Sequence, residues 1–202
     1  SKKTQNSQKG KETQMTLTGL WELDLSLSSS QSDLLRAMRR PEWQISVIDK
    51  AKEKFRLLHY FKPDTQRHYL HKSVHIHLDS KLLDVVSRLF NIPFNQVTYS
   101  HWLICNGAAV EHKDDEKRFG PCKSVTTYED NCIIIRWYLE NGLLHVRHWV
   151  DDQDRLNVQL THTNGDGHVV NATKIYRRIP FREPDERFIG EQKVHRPFLR
   201  LP

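Results

Sequence analysis

The segment from Lys123 to Arg178, KSVTTYEDNCIIIRWYLENGLLHVRHWVDDQDRLNVQLTHTNGDGHVVNATKIYRR, constrains the fold more than any other part of the chain. It reads as short strands in succession, separated by turns at Glu129–Asn131, Glu140–Gly142, Asp151–Asp154 and Asn164–Gly167. In the stretch Leu156–His162, Leu156, Val158, Leu160 and His162 fall on one face, and Asn157, Gln159 and Thr161 on the other. Side chains of a strand alternate with period two, so this sheet has one enclosed face and one wet face. Tight Asx and Gly turns between consecutive strands make an antiparallel meander. A meander has to protect its edges, and closing into a barrel does so while enclosing a space.

The contents of that space depend on which faces turn inward. Leu143, His145, Arg147 and Trp149 share one face of their strand, and Val170, Ala172, Lys174 and Tyr176 share one face of the last. With those faces inside, the barrel holds two cations and a phenol among apolar groups. A buried cation needs an anion, either the carboxylate of a fatty or retinoid ligand or an internal Asp or Glu. With the facing reversed, Arg147 and Lys174 are ordinary solvated charges, and alternation alone does not choose.

The run HVRHWVDDQDRLNVQLTH followed by ATKIYRR resembles the closing strands of the intracellular lipid-binding proteins, the fatty-acid and retinoid carriers, "LVRE-x-x-DGKL-x-x-TLTHG…CTR-x-Y". Arg147 stands at the family's first carboxylate-binding Arg, Tyr176 at its terminal Tyr, and Lys174 where a second Arg is usual. Lys is a point donor, so a forked grip on a carboxylate is lost there. LTGLWELDLSLSSSQSDLLRAM is similar to the family's opening "G-x-W-x-L…NFD-x-x-LKAL", with extra Ser in place of "NFD". The resemblance implies a mainly β fold of the calycin, lipocalin-like kind. This is a ten-stranded antiparallel β-clam with a helix–turn–helix lid, which carries a lipid without catalysis. The implied ligand site is Arg147, Lys174 and Tyr176, lined by His145, Trp149, Val158, Leu160 and His162.

The middle of the chain departs from that pattern. Ser32–Arg39, opening on an N-cap, and Pro41–Lys54 read as the lid helices. Phe55–Phe61 and Tyr69–Leu78 read as strands around a turn at Lys62–Gln66, and Gln96–Asn106 as another. Between them, Asp79–Phe90 predicts an additional short amphipathic helix that ends before Pro93. Gly107–Gly120 reads as a charged connection.

Charge divides the chain into three parts. Residues 1–16 and 177–202 each carry a net +3, while 17–176 balance 20 basic against 20 acidic residues. The expected organisation is a basic N-terminal tail at 1–16, a barrel at 17–178, and an extended Pro/Arg/Phe tail at 179–202. Basic arms on a neutral body suit an acidic partner such as a microtubule-based cytoskeleton, a membrane or nucleic acid. Nucleic acid rests on charge alone. The runner-up reading is therefore a structural or adaptor protein, with Trp137, Tyr138, Trp149 and Phe119 filling the barrel.

Other classes find little support. Cys105, Cys122 and Cys132 lack CxxC spacing and read as reduced thiols of an intracellular, cytoplasmic protein. No apolar run approaches the ~20 residues of a membrane span, and residues 1–16 lack the apolar core of a secretory signal. His75 and His77 share a strand face with His71 and His68 nearby, but no third ligand type completes a metal site, so neither metal nor cofactor is expected. A nucleophile–base pair and a phosphate loop are missing, and no enzyme is expected.

Overall fold

The computed structural model describes residues 16–64, 66–77, 81–90, 96–112 and 121–180. Ten strands form one antiparallel sheet. They are β1 (Gly19–Leu23), β2 (Lys52–Lys62), β3 (Arg67–His77), β4 (Gln96–Cys105), β5 (Ala109–His112), β6 (Cys122–Glu129), β7 (Cys132–Leu139), β8 (Gly142–Val150), β9 (Arg155–Thr163) and β10 (Val169–Ile179). Their order is β4-β3-β2-β1-β10-β9-β8-β7-β6-β5. The first strand thus bridges β2 and β10, and the two ends of the sheet, β4 and β5, are neighbours in sequence. The mainly β, ten-stranded expectation holds. The short strand β5 lies where only a connection was expected.

Turn chemistry sets the registers. Asp130 and Asn131, at φ 50° and 58°, make the two-residue left-handed turn that suits the twist of a hairpin, pairing Glu129 with Cys132. Between β8 and β9, Asp151 Oδ1 accepts the amides of Gln153 and Arg155 at 3.0 and 2.9 Å. Its Oδ2 accepts from Arg155 Nε and Asn157 Nδ2 at 2.9 and 3.0 Å. Gly142 has φ 138°, and a Cβ there would lie 2.2 Å from the carbonyl oxygen of Thr163, so only glycine fits.

The lid is a pair of short helices, α1 (Ser32–Ala37) and α2 (Glu42–Ile48), which bury Leu34, Leu35 and Ile45. Two sequence expectations change here. The second helix stops at Ile48 rather than running to Lys54, because Lys52 onward pairs with β3. The position before α1 is Gln31, without a side-chain cap, and Asp49 beyond α2 accepts its amide at 2.6 Å. A third helix, α3 (Lys81–Phe90), occupies the predicted insertion.

The extra serines of the opening motif have a structural task. Ser28 Oγ accepts the amide of Ile175 at 2.9 Å, and Ser29 Oγ that of Thr173 at 2.7 Å. Hydroxyls thereby continue the β1–β10 ladder after β1 has ended. At the opposite end of β1, Arg178 lies 4.2 Å from the Trp21 ring centre. It donates to both oxygens of Asp154 at 2.8 Å and to the carbonyls of Thr18 and Thr16 at 2.7 and 2.8 Å. Gly19 leaves room for this guanidinium, since a Cβ there would lie 2.3 Å from its Nη1.

Candidate functional site

The two halves of the sheet face each other, and their inner side chains form the core. Trp21, Leu57, Leu70 and Val74 come from one half, and Ile133, Trp137, Leu144, Val146, Leu156, Val158, Ala172 and Tyr176 from the other. Much of this interior is closely filled, while the inward-facing Leu23, Ile76, Leu139, Val150, Leu160 and Val170 are partly buried. Trp21, Leu57, Leu70, Ile133, Leu156, His148 and His162 present no surface that a water molecule could touch, from outside or from an internal void.

Five of the eight expected site residues face this interior. Val158, Leu160, His162, Lys174 and Tyr176 lie on the inner faces of β9 and β10, with Lys174 opposite Val158 and Tyr176 opposite Leu156. Arg147, His145 and Trp149 do not. The β8–β9 register pairs Arg147 with Gln159, His145 with Thr161 and Trp149 with Asn157, all on the outer face. Arg147 is exposed and lies 5.5 Å from the Trp149 ring centre. The expected inner face of this strand is therefore corrected. Leu144, Val146, His148 and Val150 point inward, a more apolar set than the one the resemblance favoured. Among the bulky residues suggested as filling, Trp137 is inside, whereas Tyr138 and Trp149 are on the outer face; Phe119 lies outside the described residues.

One cation on the inner face already has an internal anion. Lys174 Nζ is 2.6 Å from Glu53 Oε2, with the two side chains only 10% and 7% exposed. Glu53 comes from β2 and reaches Lys174 past the end of β1. Glu53 escaped the sequence reading because Pro41–Lys54 reads as the second lid helix, which leaves Glu53 outside the strand that begins at Phe55. The signal was its parity with Leu57, since Glu53 and Leu57 share a face of β2.

Two histidines are also enclosed. Among the described residues, neither ring nitrogen of His162 has a hydrogen-bond partner, and burial holds its imidazole below the ordinary histidine range. This favours the neutral ring, which lies opposite Leu144 and Val170. His148 occupies the inward position beside the Arg147 that the sequence pointed to, opposite Val158.

Near the gap between the two ends of the sheet, rings from β2, β3 and β6 bridge its halves. His59 Nε2 and His68 Nδ1 are 3.0 Å apart, and the Tyr128 ring stacks on both, with centres 4.5 and 4.1 Å away. Burial lowers both imidazoles, and His68 adds to the effect on His59. Nearby Cys105 is buried, with its thiol pushed up to about 12, so it is not poised to react. Among the described residues, no group of three His, Cys, Asp or Glu could hold a metal ion.

An open groove of about 620 Å³ runs beside the lid end of β1–β3. Its walls include Leu23, Lys52, Lys54, His75, His77 and Arg177, and Glu53 lies among its lining residues. Two acids there are paired, Glu22 with Lys54 at 2.9 Å and Asp24 with Arg177. A second groove of about 540 Å³ lies around Leu20, Leu58, Arg178 and Pro180 on the outer face.

No protein-family model matches the sequence, and no curated protein matches it by sequence. Solved structures match it by fold. The REP1-NXSQ fatty acid transporter aligns with 82% of this chain and 98% of its own, at TM-score 0.55 and 15% identity. Fatty-acid-binding protein 1 of Echinococcus granulosus aligns with 81% of this chain and 98% of its own, at TM-score 0.53 and 10% identity. Human cRBP IV aligns with 81% and 98%, at TM-score 0.52 and 16% identity. The chain thus has the β-clam fold of the fatty-acid- and retinoid-binding proteins, as the resemblance implied. It spans nearly the full length of each of these structures, and the additional residues are its own.

Proposed function

We propose that this chain is a non-catalytic protein that uses the lipid-carrier fold as a solid interaction module. One observation carries the reading. At least one inner side chain from each of β1, β2, β3, β7, β8 and β9 presents no surface that a water molecule could touch, which supports a core rather than a container. A fatty chain gains about 0.8 kcal/mol per buried CH₂, but only where space exists without displacing packed side chains. Partners then meet the outside of the barrel and the basic stretches 1–16 and 177–202, which suit an acidic assembly of the cytoplasm or its cytoskeleton.

The second reading is carriage of a fatty acid or similar hydrophobic guest, favoured by the fold and by Lys174 and Tyr176 facing inward. Titrating delipidated protein with a fluorescent C16 fatty acid separates the two. Absence of saturable binding at tens of micromolar supports the module; stoichiometric binding restores the carrier. For the arms, deleting residues 181–202 should weaken retention on immobilised poly-L-glutamate and leave the Tm unchanged. Equal retention of the truncated chain removes that part of the proposal.

A further inference from the structure

We infer that Lys174 marks a carboxylate-binding site inside the barrel, and that the chain fills this site with its own Glu53. The starting point is the cost of a buried charge. An ammonium taken out of water requires an anion within hydrogen-bond reach, and in this barrel that anion is a carboxylate 2.6 Å away. Glu53 is no neighbour of Lys174 in the ladder. It extends from β2 past the end of β1 to meet a side chain 121 positions further along the sequence.

Both side chains of the pair are nearly buried, at 10% and 7% exposure, so the ammonium has little water to solvate it. An arriving anion therefore binds Lys174 only by taking the place of the Glu53 carboxylate. Occupied in this way, the site refuses a foreign carboxylate, and no anionic headgroup can be anchored at Lys174. This deepens the reading of a filled barrel by naming the group that occupies the Lys174 position.

Truncation of Glu53 to alanine removes four heavy atoms, the same four that make up acetate, which allows a chemical rescue. Glu53→Ala should melt lower than the parent and recover saturably in sodium acetate, by about 4 °C at ten times the dissociation constant. Acetamide, and sodium chloride at equal ionic strength, should leave it unmoved, as should acetate added to the parent or to Glu53→Ala/Lys174→Met. If Glu53→Ala does not fold in buffer, refolding yield is the readout, with at least a fivefold gain in acetate over acetamide expected. Equal responses to acetate, acetamide and chloride, or a rescue that survives loss of Lys174, would overturn the inference. Binding of a neutral lipid by the parent would overturn the filled barrel alone; binding of a fatty acid that depends on Lys174 would overturn both.

Discussion

Replacing Lys174 by methionine leaves the Glu53 carboxylate in a nearly closed interior without its ammonium. Both side chains are at most 10% exposed, so solvent screens little of the change. Breaking a buried pair from one side costs about 3–5 kcal/mol, whereas exchanging both partners for apolar groups of similar volume is often neutral or stabilising. The single variant should therefore lose about a fifth or more of the roughly 5–15 kcal/mol that holds a domain together. The double variant Glu53→Leu/Lys174→Met should recover nearly all of it. Urea unfolding followed by tryptophan fluorescence gives both numbers. At an m-value of about 2 kcal/mol/M, the single variant's midpoint falls by about 2 M, and the double returns to within about 0.5 M of the parent. A loss below ~1 kcal/mol for Lys174→Met would mean that water reaches the pair, and the closed interior would be wrong.

Other consequences follow from the same geometry. His162→Leu removes a buried imidazole that lacks hydrogen-bond partners and should stabilise the fold by about 1–2 kcal/mol in the same assay. His59, His68, His71, His75, His145 and His162 are all lowered from 6.5, burial being the main cause. The unfolded chain then binds protons first, so stability should fall as pH drops below 6.5 and keep falling until the folded-state values are passed. His162→Leu should make that fall shallower, by up to about 1.4 kcal/mol per pH unit, and an unchanged slope would contradict a buried neutral His162. Arg178→Lys keeps the charge but loses the forked grip on Asp154 and the cover over Trp21, for an expected cost of about 1–2 kcal/mol by chemical denaturation. The double variant Ser28→Ala/Ser29→Ala should speed hydrogen exchange at the amides of Ile175 and Thr173, with little change at β7 and β8.

Most of the architecture was legible because turn chemistry and alternation agree along β6–β10. Asp130–Asn131, Gly142 and Asp151 each fix a register that the flanking strands confirm. Facing was harder. On β8, Leu143, His145, Arg147 and Trp149 compete with Leu144, Val146, His148 and Val150, and the likeness of Arg147 to a ligand-binding arginine outweighed the more apolar alternative. A one-residue change of register exchanges the two faces, so an error there turns a ligand site into a solvated surface. Glu53 was hidden for another reason. Its partner lies 121 residues away, and the strand order β2-β1-β10 brings the two together. The seam of His59, His68 and Tyr128 likewise depends on curvature, which no local pattern in the sequence encodes.

Native mass spectrometry of freshly purified protein tests the central claim most directly, because a packed core and a loaded container differ by the mass of one lipid. The account predicts the bare polypeptide at 23.9 kDa under gentle ionisation, with no further mass gained after incubation with excess palmitate. A stoichiometric adduct with the mass of a fatty acid or retinoid, lost on delipidation and regained on addition, would contradict it.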